Sequence, residues 1–366
     1  MKNVQKALLT VCILISLSVS ANEPKNTIKV ALLLDTSNSM DGLINQAKTQ
    51  LWEIVNELSY AKCGNEDPDL QIALYEYGND NLPSEEGYIR QVIGFSNDLD
   101  EISEKLFSLK TSGGNEFCGE VINTSLKQLN WGKNKDDLKL IFIAGNEPFT
   151  QGKLNYQDAA SQANEQGVTV NTIFCGSYSQ GISGKWRDGA TLTSGEYMTI
   201  DHNQKVVHIV SPYDEVILKL NAKLNETYIY YGNQGRQKMV LQSTQDENAS
   251  ALNDVVSVKR AVSKSSRIYK NESWDLVDAE KGKAFDYAKI DKTTLPAHLQ
   301  DKSAVELKKY VAEQSKKRSA IQKEIQALNL KRNAFVRNQQ KETSTGLESA
   351  LINAIKKQAA LKKYHW

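Results

Sequence analysis

The chain has 366 residues, of which 40% are hydrophobic and 24% are charged, and its formal net charge at pH 7 is +1. This length allows one large domain with an appendage, or two domains. Beyond the N-terminal region no segment is apolar enough to span a bilayer, which excludes a membrane-spanning protein once that region is removed.

The N-terminal region has the pattern of a secretion signal. Lys2 and Lys6 precede an apolar stretch from Ala7 to Val19, and small residues follow it at a suitable cleavage point. We therefore predict a signal peptide over residues 1–21 and an exported mature protein. The periplasm is the expected compartment and secretion is the alternative, so nucleic acid is a poor candidate for a partner.

Apolar strand-like runs alternate with helical patterns from residue 28 to about residue 231. Buried-type strands are predicted at 28–34, 71–77, 88–93, 138–144 and 168–174, with a further pair near 196–210. The alternation predicts an α/β fold with a doubly wound, mainly parallel, Rossmann-like sheet.

From Gly232 onward the strand-like runs stop and the pattern becomes helical. Helices are predicted at 247–269, 303–341 and 347–363, with a looped stretch at 270–295. The pattern at 303–341 is a heptad seam interrupted by polar residues, which is typical of coiled coils and helical hairpins. We divide the chain into an α/β domain at 26–231, a helical and looped connecting region at 232–295, and a basic helical hairpin or coiled-coil-like region at 296–366.

The charge is spread unevenly along the chain. Residues 296–366 carry 15 Lys/Arg and 6 Asp/Glu, a net charge of +9, whereas residues 22–295 carry 28 basic and 38 acidic residues, a net charge of −10. We expect the basic region to dock either on an acidic surface of the cell envelope or on the acidic body of the chain itself.

Asp35, Ser37 and Ser39 directly follow the first predicted strand. A carboxylate and two hydroxyls at alternate positions, at the carboxyl end of a strand, are a set of hard oxygen ligands for a divalent cation such as Mg²⁺. The alternative is that the same side chains cap the helix that follows.

Three further segments, Tyr75–Asn79, Gly113–Glu116 and Ala144–Pro148, accompany this D-x-S-x-S run. Together with the order of strands and helices, they resemble a von Willebrand factor type A (vWA) domain of the bacterial, exported type over about residues 26–231. In that family the D-x-S-x-S loop is completed by a Thr and an Asp from two other loops, forming a metal-ion-dependent adhesion site. A carboxylate of the partner protein usually fills the last coordination position.

The chain departs from the family pattern at both of those positions, because the Thr position holds Asn115 and the Asp position holds Gly145. Asn115 still offers a carbonyl oxygen, and Glu116 and Glu147 are further candidates. The resemblance therefore implies an altered site that takes Mg²⁺, with Mn²⁺ or Ca²⁺ as alternatives. The expected ligands are Asp35, Ser37, Ser39 and Asn115.

Features of an enzyme are absent from the sequence, since the four histidines have no nucleophile–base spacing and no Gly-rich phosphate loop is present. We predict a binding protein that captures a protein partner through the partner's carboxylate. The alternative is a non-enzymatic scaffold that acts through its basic C-terminal helices and whose vWA domain holds no metal.

After removal of the predicted signal, Cys63, Cys118 and Cys175 remain. An odd number in an oxidising compartment is most simply one disulfide and one free thiol. We favour a Cys118–Cys175 bond because both residues fall in loops after or beside strand ends. A three-cysteine metal site is the alternative, although no C-x-x-C spacing supports it.

Overall fold

A computed structural model describes residues 26–200, 209–282, 285–339 and 347–366. The predicted signal peptide lies outside the described residues, as does most of the second strand predicted near 196–210.

The centre of the molecule is a six-stranded sheet. Its strands are β1 (Thr27–Asp35), β3 (Asp69–Tyr77), β4 (Ile89–Ser96), β5 (Leu138–Gly145), β6 (Thr169–Cys175) and β7 (Tyr197–Ile200). Two short strands, β2 (Lys62–Cys63) and β8 (Tyr364–His365), form a separate pair. The order in the large sheet is β4-β3-β1-β5-β6-β7, and all neighbours are parallel except β4, which runs antiparallel to β3. The predicted mainly parallel sheet is confirmed.

Strand β1 is central because its sequence is apolar on both faces. Every residue from Ile28 to Asp35 is buried, as expected for a parallel strand covered by helices on both sides. Its register places Asp35 opposite Tyr77 of β3 and Leu34 opposite Ala144 of β5. The carboxyl ends of β3 and β5 therefore flank the start of the D-x-S-x-S turn.

Helices cover both faces of the sheet. They are α1 (Asp41–Ser59), α2 (Leu99–Phe107), α3 (Cys118–Gln128), α4 (Tyr156–Glu165), α5 (Tyr178–Ser183), α6 (Trp186–Thr191), α7 (Asp214–Asn225), α8 (Gly235–Leu252), α9 (Asp254–Lys264), α10 (Leu276–Ala279), α11 (Ala304–Gln339) and α12 (Leu347–Ala360). One face packs on α3, α4 and α6, and the other packs on α1, α2, α7 and the C-terminal helices.

The C-terminal helices share a core with the sheet. Val258 of α9, Ile325 of α11 and Ile355 of α12 belong to the same apolar cluster as Leu32 of β1. The division of the chain at residues 231 and 295 stays a prediction, and this cluster extends across both of those boundaries.

The long helix predicted at 303–341 is confirmed by α11, whereas the single helix predicted at 247–269 is wrong. In its place α8 and α9 meet at Asn253, whose backbone is extended (φ −179°). The Asn253 side chain accepts a hydrogen bond from the Val256 N–H at 3.0 Å and so caps α9. Because this amide favours a new N-terminus over helix continuation, the pattern splits there.

The expected hairpin of the last two helices also differs in its packing. The main contacts of α11 are with α7, α9 and α10, whereas those of α12 are with β8, α1 and β7. After α12 the chain ends in β8, which pairs antiparallel with β2. Both helices are therefore held chiefly by the body of the protein.

The expected contact between the basic region and the acidic body is present as ion pairs. Arg332 of α11 lies 2.9 Å from Asp214 at the start of α7, and Lys356 of α12 lies 2.5 Å from Glu57 of α1. Within the described ranges, no helix combines the length and the apolar character required to cross a bilayer.

A second set of ion pairs lies between α2, α8 and α9, with Asp100, Arg260 and Lys264 buried and Asp246 partly buried. Arg260 contacts Asp100 at 2.9 Å and Asp246 at 2.6 Å, and Lys264 contacts Asp246 at 2.7 Å. Burial raises the pKa of Asp246, but Lys264 and Arg260 outweigh it and hold that pKa well below its usual range. Burial lowers the pKa of Lys264 to about 8, although Asp246 opposes the shift. These helices are therefore joined by charges that compensate one another.

Candidate metal and ligand site

The D-x-S-x-S turn is closed by Asp35 itself. Asp35 ends β1, and its Oδ1 accepts a hydrogen bond from the Ser37 N–H at 2.7 Å, while the Ser37 hydroxyl also faces the carboxylate. Helix α1 has Met40 at its cap position, with no side-chain cap. Asp35 and Ser37 therefore serve the turn and do not cap the helix, which removes the capping interpretation for these two residues. The Ser39 side chain lies outside the described residues.

Glu116, from the loop before α3, lies against Asp35. Asp35 is 0% exposed and Glu116 is 2% exposed. A Cβ atom added at Gly78 would lie 2.8 Å from Asp35 Oδ1 and 2.9 Å from Glu116 Cγ. Gly78, with a φ of +76°, therefore leaves the space in which the two acidic side chains meet.

This carboxylate pair has no compensating positive charge in the part of the chain that the structure describes. Asp35 Oδ2 is buried without a hydrogen-bond partner there. Burial raises the pKa of Asp35 well above its usual value, Glu116 raises it further, and the Ser37 hydrogen bonds oppose the shift only in part. A hydrogen bond between two carboxyl groups needs a proton on one of them, so the ionised pair requires a cation.

The structure brings Asp35, Ser37 and Glu116 together, but not every predicted ligand. Asn115 is exposed, and its role as a ligand stays a prediction. The Glu147 side chain is also exposed, whereas its backbone N–H donates to Glu116 Oε2 at 3.2 Å. Glu116, a secondary candidate in the sequence, is therefore the second buried carboxylate of the site.

The surroundings of Gly145 leave too little room for the Asp that the family carries at this position. A Cβ atom there would lie 2.6 Å from Tyr77 Oη, 3.1 Å from Trp186 Cη2 and 3.3 Å from Asp35 Oδ2. The Tyr77 hydroxyl is held in place by donating to the Ala144 carbonyl at 2.9 Å. The two aromatic side chains therefore fill the position of an Asp at residue 145, and the carboxylate comes from Glu116. In the sequence, Gly78 and Gly145 mark the carboxyl ends of β3 and β5 as crowded positions. Neither glycine indicates which loop supplies the second acidic side chain.

The predicted Cys118–Cys175 disulfide is not formed. Cys63, Cys118 and Cys175 are free thiols. Cys118 packs in the core on one face of the sheet and Cys175 packs in the core on the other face. Residues on opposite faces do not meet the short Cα separation that a disulfide needs. Cys63 lies in β2, apart from both, which also removes the three-cysteine metal site.

The donor set is suited to a hard cation. Two carboxylates and a serine hydroxyl are oxygen ligands of the kind that Mg²⁺, Mn²⁺ and Ca²⁺ accept. No group of three or more His, Cys, Asp or Glu side chains that could hold a metal occurs among the described residues. A cation at Asp35 and Glu116 would therefore depend on hydroxyl, backbone, solvent or partner oxygens for its other positions.

Comparison with known proteins finds a family model that matches part of the chain. Residues 29–185 match the model of the von Willebrand factor type A domain. No curated protein is significantly similar to the chain. Among solved structures, BatB from Bacteroides thetaiotaomicron is 16% identical, with 48% of this chain and 90% of that chain covered and a TM-score of 0.37.

The SpRpn10 VWA domain is also 16% identical, covering 50% of this chain and 100% of that chain, with a TM-score of 0.36. Proximal thread matrix protein 1 from the mussel byssus, in a structure with a zinc-occupied MIDAS motif, is 13% identical. The coverage is 49% of this chain and 43% of that chain, and the TM-score is 0.36. The family match spans the segments that carry Asp35, Glu116 and Gly145. The chain therefore contains a von Willebrand factor type A domain at residues 29–185.

Proposed function

We propose that the vWA domain binds a protein partner at the carboxyl edge of its sheet, through a divalent cation held by Asp35, Ser37 and Glu116. The observation that supports this most strongly is the pair of adjacent, buried carboxylates with no positive charge beside them in the described residues. Uncompensated acidic groups in one place are costly to stability, and they are typical of sites that acquire a cation.

Mg²⁺ is the first candidate, with Mn²⁺ and Ca²⁺ as alternatives, because all three prefer oxygen ligands. The bound ion would offset the charge of Asp35 and Glu116 and present a Lewis-acidic position to the outside. A carboxylate of the partner would fill that position, so that metal and partner bind cooperatively and without turnover. Ser39 and Asn115 are proposed as additional ligands from the rim.

The place of action is proposed to be outside the cytoplasm, in the periplasm, with secretion as the alternative. The support is the signal-like pattern of residues 1–21. Immunoblotting of cell fractions tests it, and a chain found only in the cytoplasm at full length would contradict it.

The cation is tested by thermal unfolding with increasing MgCl₂ or MnCl₂ after treatment with EDTA. A ligand at about 100 times its Kd stabilises the folded state by about 2.7 kcal/mol, so the response of the wild-type protein should be easily measured. Asp35→Asn and Glu116→Gln should each abolish it. Glu86→Gln changes an exposed acid on the loop between β3 and β4 and is the matched control, which should respond like the wild type. A wild-type protein with no response at millimolar metal would defeat the proposal.

Partner capture is tested with the same variants. Wild-type protein and Glu86→Gln should retain a partner in Mg²⁺ and release it in EDTA, whereas Asp35→Asn should retain none. Capture that EDTA leaves unchanged would show that binding does not depend on the cation.

A second function is favoured by a different observation on α11. Its seven exposed cations make no ion pair with any described residue. They are Lys308, Lys309, Lys316, Lys317, Lys323, Lys331 and Arg337. Lys309, Lys316 and Lys323 are seven residues apart and therefore lie on one side of the helix, about 10 Å from one to the next. This exposed side fits an acidic surface of an envelope protein.

The triple variant Lys309→Glu, Lys316→Glu, Lys323→Glu tests that function. Retention of the full chain on immobilised polyglutamate should be strong at low salt, weak at high salt and lost in the variant. Equal retention of the variant would remove α11 as the docking surface. Because these lysines lie far from Asp35 in the sequence and on another element, the Mg²⁺ response of the variant should stay intact.

A further inference from the structure

A cavity lies at the amino ends of the parallel strands, at the edge of the sheet opposite to Asp35. Its volume is about 680 Å³, and it lies between the loop that joins α3 to β5 and the segment that follows α4. Small-molecule sites in proteins have about 300–1,000 Å³, so this cavity has room for a ligand of moderate size. Nothing in the vWA adhesion site involves this edge.

The lining of the cavity is strongly basic. Lys133, Lys135, Lys139 and Lys362 line it, and Glu165 is the one acidic residue in the lining. The layer behind it adds little acidity to offset these charges, because buried Lys29 and buried Asp137 lie together beneath Gly132. The cavity therefore has an excess of positive charge.

The ammonium groups are held by neutral acceptors and not by acids. Lys139 is 5% exposed, and its Nζ donates to the Gly132 carbonyl at 2.8 Å and to the Gln166 carbonyl at 3.3 Å. Lys362 Nζ donates to the Lys135 carbonyl at 2.5 Å. Carbonyls orient a lysine but leave its charge in place, and an ammonium group has three donors. Lys139 thus keeps a donor for a ligand at the floor of the cavity.

The charged groups around Lys139 also favour the binding of an anion. Burial lowers its pKa, Lys29 and Lys362 lower it further, and only Asp137 opposes them. Like charges that are brought together in a concave place repel one another, and an anion bound among them relieves that repulsion.

We propose that this basal cavity binds a small, multiply charged anion whose negative charge lies on oxygen atoms, either a polycarboxylate or a phosphate. Lys139 supplies the fixed contact at the floor, and exposed Lys133 and Lys135 supply adaptable contacts at the rim. Lysine suits such a ligand because it acts as a compact charge with rotatable donors. The proposal does not depend on the adhesion site.

The competing explanation is that these lysines only tie down the loop carbonyls. In that case added oxyanions would act through ionic strength alone, without saturation and without any dependence on the rim lysines.

The test uses the full chain after its metal has been removed with EDTA and the EDTA, itself a polycarboxylate, has been exchanged for metal-free buffer, so that chelation of metal at Asp35 has no part in it. Thermal unfolding and calorimetric titration are recorded with pyrophosphate and with citrate, each against NaCl of equal ionic strength. The double variant Lys133→Gln, Lys135→Gln changes two exposed residues that the fold does not need. Its matched control is Lys223→Gln, Lys292→Gln, which removes the same charge from two exposed residues outside the cavity and outside α11.

Wild-type protein and the control variant should show saturable stabilisation, and the rim variant should bind at least tenfold more weakly. Stronger binding of citrate would assign a carboxylate ligand, stronger binding of pyrophosphate a phosphate ligand, and equal binding would support the shared oxyanion chemistry. A wild-type protein that responds no more than to NaCl, or a rim variant that binds as tightly as the control, overturns the proposal. Asp35→Asn should bind the anion normally, so a failed adhesion site and a failed basal site give different results.

Discussion

Acidic side chains lie close together away from solvent at several places in this molecule, and two of these places have opposite surroundings. Asp100 and Asp246 lie between helices and are met there by buried cations of α9. Asp35 and Glu116 lie at the carboxyl edge of the sheet and face one another with no such cation in the described parts of the chain. Burial of acid alone is therefore not a sign of function. A functional site is indicated where the buried acid has been left without its counter-charge.

The largest effect is expected where the charges are compensated. Asp246→Asn would leave Arg260 and Lys264 buried with too little negative charge, and we expect a loss of about 3–5 kcal/mol in the free energy of unfolding. Urea unfolding at pH 7 measures it. Because Asp246 has a lowered pKa, its contribution is present above the usual pKa of Asp and is lost as the pH falls, so the difference should shrink below about pH 4.

The control for that variant is Glu215→Gln, which breaks the exposed pair between Glu215 and Lys219. It should leave the free energy of unfolding unchanged within error. Equal losses in the two variants would remove the contrast between buried and exposed pairs.

The next prediction concerns residue 145, the position at which the family carries its Asp. Gly145→Asp would place its Cβ against Tyr77 and Trp186, and we expect a loss of about 1–3 kcal/mol from overpacking. Urea unfolding measures the loss. In combination with Glu116→Gln, it should not restore the Mg²⁺ response. A double variant that regains that response at normal stability would show that the position is open.

The third prediction is a gain in the free energy of unfolding, because the variant removes a buried charge that no cation of the described residues compensates. In EDTA, Asp35→Asn should raise the free energy of unfolding by about 1–2 kcal/mol, which lies within the range of the desolvation cost of a buried acceptor without a partner. The pKa of Asp35 is raised in the folded state, so the wild-type protein is relatively stable at low pH and loses stability as the pH rises.

The advantage of Asp35→Asn should therefore grow from about pH 4 upward. Unfolding at several pH values from acid to neutral measures it, with exposed Asp80→Asn as the control. A variant that is less stable than the wild-type protein at every pH would mean that the carboxylate is already compensated.

The fourth effect is a pH dependence within the compensated set, and it is small at any single pH step. Lys264 has a pKa of about 8 in the folded state, below its usual value of 10.5. Between these values the unfolded chain binds more protons, so the stability of the wild-type protein should rise with pH relative to Lys264→Met. The slope is limited to about 1.4 kcal/mol per pH unit. Exposed Lys317→Met is the control, and parallel curves for both variants would contradict the assignment.

The sheet could be predicted from the sequence because parallel strands covered on both faces are continuous apolar runs. Asp35 and Ser37 could be placed at its edge for the same reason, since they end the most buried strand. The position of Glu116 against Asp35 could not be predicted. It depends on the space at Gly78 and on the aromatic side chains that fill position 145, and both are properties of loops that meet only in the folded chain.

The C-terminal region was less predictable because its helices pack through polar side chains. The seam of α11 contains Arg318 and Arg332, and the sequence predicts a helical hairpin from a seam of that kind. In the structure Arg318 bonds Asp275 at 2.6 Å and Arg332 bonds Asp214. The spacing of the seam residues does not predict which acidic residue, far away in the sequence, pairs with each arginine.

The pairing of β8 with β2 has a consequence for the order in which the chain acquires its structure. The Tyr364 hydroxyl donates to the Thr27 carbonyl, 337 positions away along the chain, and the Trp366 indole donates to the Glu57 carbonyl at 3.0 Å. A polypeptide is made from its amino end, so these contacts can form only after residue 366 has been synthesised. Contacts between residues so far apart in the sequence slow folding, and the segments that are synthesised first stay exposed until these contacts form.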